Sequence, residues 1–111
     1  MAEELVPIFR VTDARAAVSF YERIGFEVVR EHRFEPHLPL YVILRRGNVH
    51  LHLSEHTGDA PPGCVAYFYV DDVDAIAATV GAEVEAVPWG RQFGLTDPDV
   101  NRLRIGTVPV L

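Results

Sequence analysis

At 111 residues the chain falls within the usual span of one domain, about 100 to 200 residues, and has no room for a second large core. Its hydrophobic share of 49% is that of a globular protein, no apolar run approaches the roughly 18 residues of a spanning helix, and a net charge of −6 argues against a nucleic-acid partner. The single cysteine, Cys64, excludes an intrachain disulfide and an all-thiolate zinc site, and the absence of lysine excludes Schiff-base chemistry through a side-chain amine.

The opening Met1-Ala2-Glu3-Glu4 is acidic and no apolar run follows it, so the expected location is the cytoplasm, with no membrane partner. Leu5 to Val11 reads as a strand, and Thr12-Asp13 supplies side-chain acceptors for the free amides of a new helix. From Ala14 to Ile24 the residues Ala16, Ala17, Phe20, Tyr21 and Ile24 recur at helical spacing, and Gly25 ends the run. Phe26 to Phe34 reads as a strand, Pro36 to Pro39 as a turn and Leu40 to Leu44 as another strand, followed by a Gly47-Asn48 turn. Val49 to Ser54 alternates, with Val49, Leu51 and Leu53 on one face and His50, His52 and Ser54 on the other.

After the Gly-, Pro- and Asp-rich segment Glu55 to Gly63 the same order begins again. Val65 to Val70 is a strand and Asp71-Asp72 a helix start; Ala75, Ile76, Thr79 and Val80 form a short helix closed by Gly81. Val84 to Val87, Gln92 to Leu95 and Asn101 to Gly106 complete three more strands. Val11-Thr12-Asp13 answers Val70-Asp71-Asp72, and Gly25-Phe26-Glu27-Val28 answers Gly81-Ala82-Glu83-Val84, with the second helix expected to be about one turn shorter. The fold class is therefore α+β: one domain over residues 1–111 built of two βαβββ modules, about 5–54 and 64–107. Each module has too little core to stand alone, so pairing of modules and then of chains, a homodimer, is expected.

A strand, helix and three strands used twice, opening with Phe9-Arg10-Val11-Thr12-Asp13 and Ser19-Phe20-Tyr21-Glu22-Arg23-Ile24-Gly25-Phe26 and closing with Asp97-Pro98-Asp99-Val100-Asn101-Arg102-Leu103, resembles the vicinal oxygen chelate superfamily over nearly the whole chain. That superfamily includes glyoxalase I, extradiol dioxygenases, fosfomycin-resistance enzymes and bleomycin-resistance proteins, so membership alone does not fix the chemistry. Pro88-Trp89-Gly90-Arg91-Gln92-Phe93 and Ala66-Tyr67-Phe68-Tyr69-Val70 resemble the bleomycin-resistance branch most closely. Relatives usually carry glycine where this chain has Val100. A β-branched residue at positive φ would cost on the order of 1 kcal/mol or more, so a turn of another shape is expected there.

In metal-dependent members one ligand comes from the first and the fourth strand of each module. The resemblance puts Val6, His52, Val65 and Arg104 at those positions, of which only His52 can ligate, and an arginine cation repels a metal ion. No cofactor is therefore expected. The alternative is a displaced metal site at His50, His52 and His56, serving a glyoxalase-type lyase or a dioxygenase.

Strand parity gives Phe9, Val11, Leu51, Leu53, Phe68, Val70, Leu103 and Ile105 to the face under the helices. The opposite face carries Val6, Ile8, Arg10, His50, His52, Ser54, Val65, Tyr67, Tyr69, Arg102 and Arg104, a composition suited to a ligand. The resemblance assigns ring stacking to Trp89 and to the aromatics Tyr67 and Tyr69, with Phe34 a further wall from a partner subunit. The expected protein is a non-enzymatic homodimer that sequesters an aromatic antibiotic or metabolite, bleomycin-like or another natural product. Its expected ligand-binding residues are Phe34, His50, His52, Tyr67, Tyr69, Trp89, Arg102 and Arg104.

Overall fold

The computed structural model describes residues 3–107, so Met1 and Ala2 of the acidic opening lie outside the described residues. The order is β1 (Ile8–Arg10), α1 (Ala14–Glu22), β2 (Glu27–His32), β3 (Tyr41–Arg46), β4 (Val49–Ser54), β5 (Val65–Val70), α2 (Val73–Val80), β6 (Glu85–Val87), β7 (Gly90–Thr96) and β8 (Arg102–Thr107). The strands form two four-stranded sheets, β1-β4-β3-β2 and β5-β8-β7-β6, in which β1 runs parallel to β4 and β5 to β8 while the remaining neighbours are antiparallel. A helix between two parallel strands is the crossover such a pair needs, so each helix covers one face of its own sheet.

The covered faces are apolar because each strand alternates. Phe9, Leu51, Leu53, Val42 and Leu44 from the first sheet, and Phe68, Val70, Phe93, Leu103 and Ile105 from the second, are all buried. Full burial of such a side chain contributes roughly 1.5–3 kcal/mol. Asp13 and Asp72 cap the helices: Asp13 accepts from the Arg15 and Ala16 amides at 3.1 and 3.2 Å, and Asp72 from the Ala75 amide at 3.0 Å.

The helices face the core slightly differently from the sequence-based expectation. In α1 the buried residues are Ala14, Ala17, Val18 and Tyr21; Ala16 is exposed and Phe20 half-buried. In α2 they are Val73, Ile76 and Ala77, whereas Ala75 and Thr79 are exposed. Small residues such as Ala16 and Ala75 contribute little to the direction of an apolar stripe, so the branched and aromatic neighbours set the rotation. Nor is α2 a full turn shorter, since the helices have 9 and 8 residues. Most of the missing length lies in the exit: α1 continues into a tight turn bonded by the amides of Arg23, Ile24 and Gly25, whereas α2 passes straight into Gly81 at φ 67°.

The modules meet through loops and side chains, not through a shared strand ladder. Tyr21 Oη of α1 donates to Asp97 Oδ2 in the β7–β8 turn at 2.7 Å, and Asn101 Nδ2 donates to the Arg10 carbonyl at 2.8 Å. Asp99 Oδ1 accepts from the Thr12 hydroxyl at 2.9 Å. Phe26 packs on Phe68 with centroids 5.7 Å apart, and the Arg46 guanidinium lies 5.9 Å from the Phe68 centroid. Asp97 also accepts from the Asp99 and Asn101 amides at 2.8 and 2.9 Å, so a carboxylate only 4% exposed organises the turn and ties it to the first module. Burial and the Asp97 carboxylate hold the Tyr21 hydroxyl far above the usual phenol range, which keeps it a donor.

That turn overrules the expectation for Val100, which adopts φ 66°. The network around Asp97 fixes the residues on either side, and the Val100 side chain is 63% exposed, so the left-handed conformation costs about 1–2 kcal/mol without a packing clash.

Candidate ligand-binding face

The faces turned away from the helices are built by strand register. In the second sheet three rows run across β5, β8 and β7: Val65, Arg102 and Thr96; Tyr67, Arg104 and Gly94; Tyr69, Gly106 and Gln92. Tyr67 and Tyr69 lie 4.6 Å apart between ring centroids at 32°. The Tyr67 hydroxyl donates to Gln92 Oε1 at 2.6 Å and accepts from Trp89 Nε1 at 3.2 Å. Trp89 leads into β7 and is 47% exposed, so this bond holds an indole at the edge of the sheet without burying it.

Two glycines make the arrangement possible. A Cβ on Gly106 would stand 2.8 Å from Tyr67 Oη and 2.9 Å from the Arg91 carbonyl, so only glycine lets the Tyr67 ring reach across β8. A Cβ on Gly94 would meet nothing within 4 Å, which leaves open space beside Arg104. Arg102 and Arg104 are exposed and make no ion pair among the described residues.

The first sheet presents a different surface, in which the polar groups answer one another. His52 Nδ1 is 2.7 Å from the Tyr41 hydroxyl, and Ser54 Oγ donates to Asp59 Oδ2 at 2.5 Å. Arg45 pairs with Glu27 at 3.1 Å. Glu4 Oε1 stands 2.7 Å from His50 Nδ1, a charge-pairing distance for a protonated ring without the alignment of a hydrogen bond. Burial, then the neighbouring His50, lowers the His52 pKa below the usual imidazole range. Burial also raises the Tyr41 hydroxyl. Arg10 is occupied by the carbonyl of its neighbour Val11.

The expected site residues thus divide between two places. Tyr67, Tyr69, Trp89, Arg102 and Arg104 share the second sheet's open face, whereas His50 and His52 lie on that of the first. Phe34 is 72% exposed between β2 and β3, at the outer edge of the first sheet, edge-on to His32 at 4.6 Å. Among the described residues the two groups meet in a cleft of about 250 Å³ at the module seam, where His50 and Tyr67 are joined by Leu5, Phe26, Leu51 and Phe68. Trp89 and both arginines lie outside it. Gln92, Gly94 and Gly106 were missed by reasoning along single strands; pairing β7 with β8 row by row would have found them.

The displaced metal site is not assembled. β4 ends at Ser54, the amide of His56 turns back to Ser54 Oγ at 3.1 Å, and among the described residues no group of three or more His, Cys, Asp or Glu side chains converges. Glu55, a potential proton carrier, is engaged structurally, accepting from the Ala14 and Leu40 amides at 2.8 and 2.9 Å. Of the positions that the resemblance gave to metal ligands, His52 pairs with Ile8 and Arg104 with Tyr67 across the parallel ladders, with Val6 and Val65 two residues before those partners. These neighbours add no carboxylate to His52.

A family model described as "Glyoxalase superfamily protein" matches residues 1–108, and the chain belongs to that family. Among solved structures, a bleomycin resistance determinant encoded on the transposon Tn5 is 24% identical with a TM-score of 0.77, covering 98% of this chain and 100% of the other. TnmS3, an antibiotic binding protein from Streptomyces sp. CB03234, is 29% identical with a TM-score of 0.75, covering 99% of each chain. A bleomycin-binding protein from bleomycin-producing Streptomyces verticillus, solved with copper(II)-bleomycin, is 28% identical with a TM-score of 0.72, covering 96% of this chain and 98% of the other. No curated protein sequence matches. Similarity to antibiotic-binding proteins covers 96–99% of the chain, and no helix among the described residues is long and apolar enough to cross a membrane.

Proposed function

We propose that this protein binds and sequesters an aromatic antibiotic or metabolite, without catalysis or a metal, in a groove that two copies of the chain complete. The observation that carries this reading is the platform of the half-buried Tyr67 with the exposed Tyr69 and Trp89, beside the glycines Gly94 and Gly106. Rigid aromatic side chains fixed by hydrogen bonds stack on planar ligands with little entropy to lose, each contact contributing about 0.5–1.5 kcal/mol beyond burial. Among the described residues Tyr69 and Trp89 stay open to solvent, and the exposed Leu5, Phe34 and Val65 are available to a second copy. In that assembly His50, His52 and Phe34 would face the platform from the partner. Likeness to TnmS3 and to the Streptomyces verticillus protein supports the ligand class.

Trp89 is the sole tryptophan, so its emission reports on the platform directly. Titration with bleomycins and with planar aromatic antibiotics should change that emission at micromolar concentration for at least one compound, and sedimentation should give a dimer. A panel that leaves Trp89 unperturbed throughout would remove the main support for this reading.

A further inference from the structure

The second sheet's open face also carries a charge that separates possible ligands. We propose that it selects planar aromatic ligands bearing a negative group, such as a carboxylate, a sulfonate or an ionised phenol, held by Arg102 and Arg104. This rests on the groove reading above and assigns the ligand's charge within it.

Arg102 and Arg104 sit two residues apart on β8, pointing to the same side, beside Val65 and Tyr67. Several other arginines are engaged: Arg15 with Glu31, Arg45 with Glu27, Arg91 with Asp74, and Arg46 with the Ile24 carbonyl; what sets Arg102 and Arg104 apart is that they stand together beside the aromatic rings. Glu85 is the single acid among the strand residues of this face; it stands on the outermost strand and accepts from Gln92 Nε2 at 3.2 Å. A chain of net charge −6 therefore presents a locally cationic surface beside its aromatic rings. The open space at Gly94 lies next to Arg104, so a flat ring system stacked against Tyr67 could place an anionic substituent within reach of a guanidinium fork. A cationic ligand in the same place would leave two like charges facing it, which disfavours it over an anionic one of equal shape.

The test uses the full chain and calorimetric titration with three probes that share one ring system: anthraquinone-2-sulfonate, the neutral 2-(hydroxymethyl)anthraquinone, and an anthraquinone bearing a quaternary ammonium group. The sulfonate should bind about tenfold or more tightly than the neutral probe, as expected for one or two charge-assisted hydrogen bonds. That advantage should shrink when NaCl rises from about 50 mM to about 500 mM. The double variant R102Q/R104Q should erase the sulfonate's advantage over the neutral probe while leaving the far-ultraviolet circular dichroism unchanged. Equal or tighter binding of the cationic probe overturns the inference and leaves the groove reading standing. So does a double variant that keeps the sulfonate preference, or one that loses its dimer with no change in that preference. Failure of all three probes to bind overturns this inference, and the groove reading falls with it only if the bleomycin and antibiotic panel also leaves Trp89 unperturbed.

Discussion

The two sheets repeat one topology and reach opposite outcomes on their open faces. In the first, Tyr41 meets His52, Ser54 meets Asp59, Arg45 meets Glu27 and Glu4 meets His50, so the polar groups are largely satisfied within the chain. In the second, one internal latch from Trp89 through Tyr67 to Gln92 fixes the aromatics, and Arg102, Arg104 and the Tyr69 ring are left open to solvent. A repeated fold thus provides one surface whose polar groups mostly pair within the chain, His50 Nδ1 excepted, and one that still has interactions to offer. The latter is the better place to seek a ligand.

The contrast can be broken most severely where the modules join. Asp97→Ala removes the acceptor of Tyr21, Asp99 and Asn101 in a buried turn and should lower stability by about 3–5 kcal/mol in urea unfolding. A loss below about 1 kcal/mol would mean that the seam is held by Phe26 and Phe68 instead. Within the second sheet, Gly106→Ala forces a methyl against Tyr67 Oη and the Arg91 carbonyl. It should cost about 1–3 kcal/mol and shift Trp89 emission as the Tyr67 latch opens.

The first sheet is tested by Tyr41→Phe and by acid. Loss of the Tyr41 hydroxyl removes one partner of His52, at a cost of about 1 kcal/mol. Because the His52 pKa is lowered in the folded chain, the unfolded chain takes up this proton first. Stability from this group is therefore full above the unfolded value, about 6.5, and is lost as the pH falls through it toward the lower folded value. His52→Gln should flatten the stability profile over that range, and an unchanged slope would reassign it to other groups.

The smallest effect sharpens the comparison at matching turns. The β3–β4 turn uses Gly47 at φ 58°, whereas the β7–β8 turn uses Val100 at φ 66°. Val100→Gly should therefore raise stability by up to about 1 kcal/mol, the strain relieved being partly offset by the freedom glycine gives the unfolded chain. A destabilised variant would show that the valine side chain contributes a contact, one that a partner copy could supply.

Much of the fold was legible because its signals are local. Asp13 and Asp72 before helical runs, Gly81 after one, and the alternation from Val49 to Ser54 and from Val65 to Val70 each reflect a short stretch of backbone seeking hydrogen bonds and burial. Strand parity also separated the buried Leu103 and Ile105 from Arg102 and Arg104. Less legible were features that depend on a neighbour distant in sequence. The reach of Tyr67 over Gly106 is one. Another is the tolerance of positive φ at Val100, which follows from contacts of Asp97 with Tyr21 and Asn101.

By itself, then, the sequence determined two βαβββ modules and the faces of their strands, since both follow from residue type and spacing along the chain. Only the tertiary structure decided that the expected site residues fall into a self-satisfied face and an open one, and that Trp89 is held beside Tyr67. The physical reason is that register between strands, unlike alternation within one, depends on how segments far apart in the chain pack together.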